Sequence, residues 1–256
     1  ADPYLSTFAD MARNDPSPVV RLYLASVLQR IGTSQRWEIL TNLVKHGEDV
    51  KDHNLPLMDW YAAEAAVAAD IPRGIELAKA SAIPIVRQYI ARRLCALATA
   101  DANSDESKVK IEPLNALAKL LADLKDPALQ KDVLVGMGEG LQGWQRLPEP
   151  QGWTTVYEKL NGSSDADVRD KAQSLSVVFG EASALAALRK TLSDASAPLG
   201  QRQNAIESLV GAKDENVVPE LQKLIGNVEL RSRAIRGLAA FEDPRTPGLI
   251  LSALPD

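Results

Sequence analysis

The chain has 256 residues, of which 45% are hydrophobic and only 5% aromatic, and its formal net charge is −5. This charge weighs against generalised nucleic-acid binding, which requires a basic face, and no apolar run approaches the roughly 20 residues that span a bilayer. Cys95 is the only cysteine, so an internal disulfide and a Cys-x-x-Cys-His haem attachment are both excluded within this chain. The first residues, ADPYLSTFADMARND, have neither a basic leader nor an apolar core, so we expect no signal peptide here.

The first hundred residues predict three pairs of helices. Apolar residues recur at helical spacing over 4–13, 15–31, 34–45, 55–69, 71–81 and 83–99. Three of these helices begin with one motif, which reads PVVRLYLA from Pro18, PLMDWYAA from Pro56 and PIVRQYIA from Pro84. Each copy has a proline suited to the first helical turn, two aliphatic residues, a charge at position four, tyrosine at position six and alanine at position eight. The chain is therefore built from a repeated helical unit.

The rest of the chain predicts a second version of this unit. Residues 100–111 begin with the most polar stretch, ADANSDESKVK, so we expect an internal seam there. Further helices are predicted at 112–124, 127–141, 154–160, 169–175, 182–192, 202–209, 217–225, 231–238 and 244–254. In this half the motif opens with an arginine, followed three residues later by alanine, at Arg169, Arg202 and Arg231.

Repeat units of about 30–40 residues, with two helices each and no strand pattern, predict an all-α solenoid. We expect a right-handed α–α superhelix of the HEAT or armadillo type, with about seven helix pairs and a trailing helix. It would form one domain over 1–256, in which the seam separates N-terminal repeats (1–99) from C-terminal repeats (112–256). The Trp/Gly/Tyr pattern of tetratricopeptide repeats is absent from the sequence.

Equivalent residues of stacked repeats line up from one unit to the next. Position four of the proline motifs therefore predicts a charge ladder, which we define as Arg21, Asp59 and Arg87. Asp59 would lie between two guanidinium groups, either as a structural ion pair or as part of a ligand site on the concave face. On this basis Asp59→Ala is expected to lower stability, because two like charges would lose their partner.

Position six predicts a row of aromatic side chains beside the charge ladder, for packing or for binding. The members of this tyrosine row are Tyr23, Tyr61 and Tyr89. From the same face of the superhelix we choose five candidates for contact with a partner. These interface candidates are Arg21, His53, Asp59, Trp60 and Arg87.

Two loops carry patterns that suggest metal binding. From Asp101 to Glu112, oxygen-bearing side chains occupy the ligand positions of an EF-hand loop, but Glu106 replaces the glycine of the sharp turn and Lys108 an apolar residue. We therefore expect a solvated linker rather than a calcium site. His46 and His53 lie in an acidic loop without the i, i+4 spacing of a helical metal site. We predict no metal, no cofactor and no catalytic residue in this chain.

Several stretches resemble one known family. They read DPSPVVRLYLASVLQRI, RWEILTNLVKHGEDVKDHNLPLMDWYAAE and PIVRQYIARRL, followed by GWTTVYEKL, VVFGEASALAALRKTL and AAFEDPRTPGLIL. They are similar to the HEAT-repeat region of the PVC-type haem-binding CxxCH proteins of planctomycetes and verrucomicrobia, also called putative membrane-bound dehydrogenases. The resemblance covers nearly the whole chain, and DHNLPLMDWY, from Asp52 to Tyr61, is its most specific part.

In that family the repeats separate an N-terminal β-propeller from a C-terminal cytochrome c domain. The resemblance implies a periplasmic or secreted redox protein that binds haem c only in the C-terminal domain, outside this chain. Because this chain has no haem motif, only the scaffold role carries over. We expect a monomeric, non-catalytic module that contacts neighbouring domains or another protein. The alternatives are a free-standing adaptor for proteins or peptides and a HEAT-type enzyme similar to the phycobilin lyases.

Overall fold

A computed structural model describes residues 3–103 and 105–253 of the chain. All regular secondary structure in these two ranges is helical, with fifteen α-helices, four short 3-10 helices and no strand. The prediction of an all-α fold is therefore confirmed for this part of the chain. Within the same ranges, no helix is both long enough and apolar enough to cross a bilayer.

The fifteen α-helices of the described residues occur in the predicted order along the chain. The first eight are α1 (Pro3–Asn14), α2 (Pro18–Leu28), α3 (Trp37–Leu43), α4 (Leu55–Ala69), α5 (Ile71–Ala80), α6 (Pro84–Thr99), α7 (Ile111–Asp123) and α8 (Pro127–Gly140). The remaining seven are α9 (Trp153–Asn161), α10 (Ala166–Val178), α11 (Ala182–Ser193), α12 (Leu199–Gly211), α13 (Val218–Leu224), α14 (Arg231–Leu238) and α15 (Thr246–Ser252). The 3-10 helices are Thr33–Gln35, Gly47–Lys51, Glu106–Lys108 and Glu215–Val217.

The chain divides into two compact units. Of the described residues, unit 1 contains those up to Gln142 together with Pro150–Ala172, and unit 2 contains Gly143–Glu149 together with those from Gln173 onward. The polar segment 100–111, where the sequence predicted a seam, lies inside unit 1. The reason is that helices on either side of this segment pack together, since α5 contacts α7 and α6 contacts α8.

Unit 1 arranges its helices in two rows of neighbours. In one row α2 packs on α4, α4 on α6 and α6 on α8, and in the other α1 packs on α3, α3 on α5, α5 on α7 and α7 on α9. The three proline motifs therefore begin three successive helices of the same row. The position-eight alanines of these motifs are buried, and their small side chains allow neighbouring helices to approach. They are Ala25, Ala63 and Ala91.

Helices α6 and α8 pack with their backbones in close contact, because two glycines of α8 face α6. A Cβ atom at Gly136 would overlap the carbonyl oxygen of Gln88 and would lie 2.9 Å from the Ala91 Cβ. A Cβ at Gly140 would lie 2.7 Å from the Cys95 Cβ. Both distances are shorter than carbon atoms tolerate, so this approach of the two helices requires glycine at both positions.

Unit 2 has a hydrophobic core of its own. Helix α11 packs on α12, α12 on α14 and α13 on α14. Aliphatic side chains fill the space between them, among them the buried Leu192, Leu209, Leu221 and Ala234. The non-helical segment Gly143–Glu149 also belongs to this unit.

Candidate functional site

The predicted charge ladder does not form. Arg21 instead binds Asp49, to which it donates from Nε at 2.6 Å and from Nη2 at 2.5 Å. Arg87 donates from Nε and Nη2 to Oδ2 of Asp132, at 2.9 and 2.7 Å. In the described part of the chain, neither arginine forms an ion pair with Asp59. The prediction that Asp59 joins two guanidinium groups is wrong, because each arginine is paired with another buried carboxylate.

Position four has a different recurrent role, which is to cap the end of the preceding helix. At this position, or its equivalent in the arginine motif, a side chain donates to the carbonyl oxygen six residues earlier, from Arg21 to Asp15, Arg87 to Ser81, Gln130 to Leu124, Arg169 to Ser163 and Arg231 to Ile225. Arg202 makes the same kind of bond to the Leu192 carbonyl, ten residues earlier, at 2.9 Å. These carbonyls lie at the C-terminal ends of helices, where intrahelical donors are lacking and positive charge is favourable.

Asp59 is the exception at position four, because its side chain makes no such cap among the described residues. Only 1% of its surface is exposed, and its Oδ1 has no hydrogen-bond partner among the described residues. Burial raises the pKa of the Asp59 carboxyl to about 8; the negative charge of Asp49 adds to this effect and Arg21 opposes it. At neutral pH Asp59 is therefore mostly a neutral acid beside the Arg21–Asp49 pair.

We expect Asp59→Asn to stabilise the protein, and to do so more strongly as the pH rises from about 4 to about 8. In this window the folded state keeps the Asp59 proton that the unfolded chain has lost, so the free energy of unfolding of the parent falls with rising pH. Asparagine does not titrate, so the difference between variant and parent should grow by about 1 kcal/mol per pH unit. Urea unfolding followed by circular dichroism at several pH values within the window measures this difference.

Asp52→Asn is the control for this experiment. Asp52 is exposed, and hydrogen bonds from the backbone N–H groups of Leu55 and Asn54 lower the pKa of its carboxyl. Any contribution of Asp52 to stability is therefore lost as the pH falls, which is the opposite direction. A gain from Asp59→Asn that does not change with pH would contradict the assignment of a buried, protonated Asp59. The expected gain also reverses the sequence-based prediction that removing this carboxylate lowers stability.

The interface candidates are divided between the interior and the surface. The three residues of the charge ladder are buried. Trp60 is buried as well, and its ring packs edge-on against Tyr89 with 5.6 Å between the ring centroids. His53 is exposed, as are Tyr23 and Tyr61 of the tyrosine row. The four buried candidates thus have internal roles in unit 1, and His53 is the one member of the set at its surface.

The two loops with metal-like patterns use their polar groups for internal hydrogen bonds. Asp101 accepts a hydrogen bond from Lys110 Nζ at 2.7 Å, and Asp105 accepts one from the Ser107 N–H at 3.1 Å. In the other loop, His46 Nε2 donates to a backbone carbonyl of α1 at 2.8 Å. Within residues 3–103 and 105–253, no group of three or more His, Cys, Asp or Glu side chains is placed to hold a metal ion.

Unit 1 has a surface groove of about 520 Å³ between α1, α3 and α5. The Arg73 guanidinium lies over the Trp37 ring, 5.9 Å from its centroid. Arg13 pairs with Glu38 at 3.8 Å across the groove, and Lys45 lines its end. The charges in this groove are mixed, so its lining favours no single class of ligand.

Unit 2 has a longer groove, which crosses α10, α12 and α14. It consists of two adjoining cavities of about 510 and 570 Å³, which share Gln145, Glu207 and Gly211. We call it the unit 2 groove, with a first part between α10 and α12 and a second part between α12 and α14. The sequence gives no motif for this groove, since its lining comes from separate repeats and from a loop.

A segment of the chain itself occupies one edge of the first part. This segment, Gly143–Glu149, is not helical. The buried Leu147 donates its N–H to the Val178 carbonyl at the end of α10, at 2.9 Å, and Arg146 Nη1 donates to the Ala212 carbonyl just after α12, at 3.2 Å. Carbonyls at the ends of α10 and α12 therefore hold this segment in place, and its residues Trp144 and Gln145 form part of the wall of the groove.

Charged side chains line the second part of the unit 2 groove. Three cationic side chains line it together with one carboxylate, that of Glu207. The cations are Lys213, Arg233 and Arg236. Arg233 pairs with Glu207, whereas Arg236 is exposed and forms no ion pair with another described residue.

No protein-family model and no curated protein matches this chain. The similarity to the PVC-type haem-binding proteins, which rests on the sequence stretches quoted above, therefore stays a prediction.

Proposed function

We propose that this chain is a non-catalytic helical-repeat scaffold of the HEAT type, whose surfaces bind neighbouring domains or other proteins. The observation that carries this proposal is the recurrent cap at position four, which ties a helix to the end of the preceding one in six pairs. A bond that recurs in each pair gives the pairs a similar internal geometry, and an α-solenoid is a stack of such similar pairs. A right-handed superhelix is the proposed result.

The most reactive side chains support binding rather than catalysis as the role of the chain. Cys95 is buried, and burial raises the pKa of its thiol. Because the thiolate is the nucleophilic form of cysteine, this raised pKa makes Cys95 inert. His46 is held by hydrogen bonds on both ring nitrogens, with Ala12 on one side and Glu48 on the other.

The resemblance to the PVC-type proteins supplies a cellular context for the scaffold. In this proposal the chain is a monomeric part of a periplasmic or secreted redox protein, and it separates a β-propeller from a cytochrome c domain that carries the haem. Determining the coding sequence that flanks the region encoding this chain tests this context. We expect it to encode a Cys-x-x-Cys-His motif downstream of the chain. A start codon and a stop codon directly at the two ends would contradict it.

A free-standing adaptor is the second candidate function, and the unit 2 groove favours it. The groove offers an open surface lined by charged side chains, as a partner site would. An adaptor binds its partner without a propeller or a cytochrome domain present. The third alternative, a role similar to the phycobilin lyases, requires a tetrapyrrole site, which an absorbance titration with haem or bilin would detect.

The scaffold proposal predicts an elongated molecule in solution. A compact protein of this length has a radius of gyration of about 18 Å. A row of stacked helix pairs should give a value above about 21 Å, because each pair contacts only its neighbours and the array extends in one direction. Small-angle X-ray scattering over a concentration series measures this value without a contribution from association. A radius near that of a compact protein would contradict the solenoid.

A further inference from the structure

We propose that His46 is a pH-sensitive link between the end of α1 and the 3-10 helix Gly47–Lys51, complete only while both ring nitrogens carry a proton. This inference goes beyond the scaffold proposal and does not depend on it. The geometry of the ring carries it. Each nitrogen of His46 lies within hydrogen-bond distance of an oxygen that can only accept, and the two oxygens belong to different elements.

The first of these oxygens is the Ala12 carbonyl, which lies in the last turn of α1 and accepts from His46 Nε2 at 2.8 Å. In a continuing helix this carbonyl would accept from the N–H four residues later, but that residue is Pro16, which has no N–H. Ala12 is 0% exposed, so water has no access to supply the missing donor. Because an unpaired buried carbonyl is costly, His46 keeps a proton on Nε2.

The second oxygen is Oε1 of Glu48, in the first turn of the 3-10 helix, 2.7 Å from His46 Nδ1. Hydrogen bonds from its own backbone N–H and from His46 lower the pKa of the Glu48 carboxyl, so this group is ionised at neutral pH and can only accept. A neutral imidazole has a single N–H. With that hydrogen on Nε2, Nδ1 would present a lone pair to a carboxylate. The contact is therefore a hydrogen bond only when the ring is an imidazolium.

The neighbouring charges come from α1, from α2 and from the 3-10 helix itself. Arg21 Nη2 of α2 is 3.6 Å from Glu48 Oε1, and Asp49 of the 3-10 helix holds Arg21 in place. The end of α1 places the negative end of a helix dipole beside the ring, which favours the imidazolium. Arg13, the basic side chain of that turn, pairs with a glutamate of α3. Arg21 is thus the second cation close to Glu48.

Loss of the second proton breaks one of the two bonds and spares the other. Histidine ordinarily changes charge between about pH 5 and 8. The buried Ala12 carbonyl keeps the remaining hydrogen, whereas the exposed Glu48 gains water or Arg21 as its partner. We therefore expect the 3-10 helix to be tied to α1 at acid pH and mobile at alkaline pH, while α1 stays docked. This helix leads to His53, the interface candidate at the surface, so the link controls how firmly that surface is held.

Amide hydrogen exchange measured by NMR at about pH 5.5 and about pH 8 tests the link. Protection is the intrinsic exchange rate at each pH divided by the measured rate, so the chemical effect of pH is removed. The Asp49 and Asp52 amides close the 3-10 helix through bonds to the His46 and Asp49 carbonyls. In the parent we expect their protection to fall about threefold or more from the lower to the higher pH. Protection of the Asp15 amide, which is bonded to Met11 at the end of α1, should stay within about twofold.

Three variants distinguish this link from a general effect of pH. His46→Gln has no titrating ring, so its 3-10 helix should show the same low protection at both pH values. Glu48→Gln should keep high protection at both, because its carboxamide can donate to Nδ1 of the neutral ring while Nε2 still donates to Ala12. His53→Gln removes the other histidine of the chain, which is exposed, and should behave as the parent does. Titration of the buried Asp59 is common to all four proteins and cancels in the comparison.

Equal protection of the 3-10 helix at the two pH values in the parent would overturn the proposal. A fall in Glu48→Gln as large as in the parent would do the same, as would a fall that persists in His46→Gln. Circular dichroism of each variant ensures that folded proteins are compared. If His46→Gln does not fold, Glu48→Gln still decides the question, since it changes only an exposed carboxylate. A compact molecule in the scattering experiment would refute the scaffold and leave this inference unaffected.

Discussion

Gly136→Ala is expected to destabilise the protein by about 3 kcal/mol or more. The new Cβ would overlap the carbonyl oxygen of Gln88 and lie 2.8 Å from its carbonyl carbon. Both atoms belong to the backbone of α6, so no side-chain rotation can relieve the overlap, and α6 and α8 must move apart. The loss of packing between these two helices lowers the free energy of unfolding, which urea denaturation followed by circular dichroism measures.

Gly138→Ala provides a matched control in the same helix. A Cβ at Gly138 meets no atom within 4 Å, and the residue is exposed. Alanine loses less backbone entropy than glycine in a helix, so this variant should be more stable than the parent by about 0.5–1 kcal/mol. The two substitutions, two residues apart, are thus expected to act in opposite directions. A Gly136→Ala variant at least as stable as the parent would show that α6 and α8 are not in backbone contact at Gly136.

Arg87→Ala should lower the free energy of unfolding by about 3–5 kcal/mol. Arg87 is 5% exposed, and its loss leaves the Asp132 carboxylate with the Gln88 amide at 3.0 Å as its remaining side-chain donor. The Ser81 carbonyl at the end of α5 loses its cap as well. Arg92→Ala in the same helix is the control, because Arg92 is exposed on the surface and should contribute no more than about 1 kcal/mol.

A double variant distinguishes the unpaired charge from the lost packing. Arg87→Met combined with Asp132→Leu removes both charges and keeps apolar volume at both positions. Replacing a buried ion pair with hydrophobic residues is often neutral, so the double variant should recover most of the stability that Arg87→Ala loses. If it is as unstable as the single variant, the cap on Ser81 rather than the stranded carboxylate accounts for the loss. Thermal and urea unfolding of the four proteins complete this comparison.

Position four shows where reasoning from the sequence succeeded and where it failed. The sequence indicated that position four recurs along the chain, and the structure gives it one repeated role. The sequence did not reveal which group the position-four side chain contacts. That group is a backbone carbonyl, which every residue has, so no sequence pattern identifies it. The charge ladder was inferred from position four of the three proline motifs alone. Asp49 and Asp132, which pair with Arg21 and Arg87, do not lie at that position in these motifs. That Asp59 is an exception at position four can be recognised only once the caps formed by the other residues at this position are known.

The number, order and approximate limits of the helices were determined by the sequence itself, because proline in a first turn, apolar residues at helical spacing and polar loops act over a few neighbouring residues. The tertiary structure alone decided which carboxylate each arginine binds, which glycines of α8 meet α6, where the chain divides into units and how Gly143–Glu149 comes to form the wall of a groove. These features join residues that are distant in the chain, and they depend on the packing of whole helices. Local composition does not encode such distances, as the polar segment 100–111 shows by lying inside unit 1.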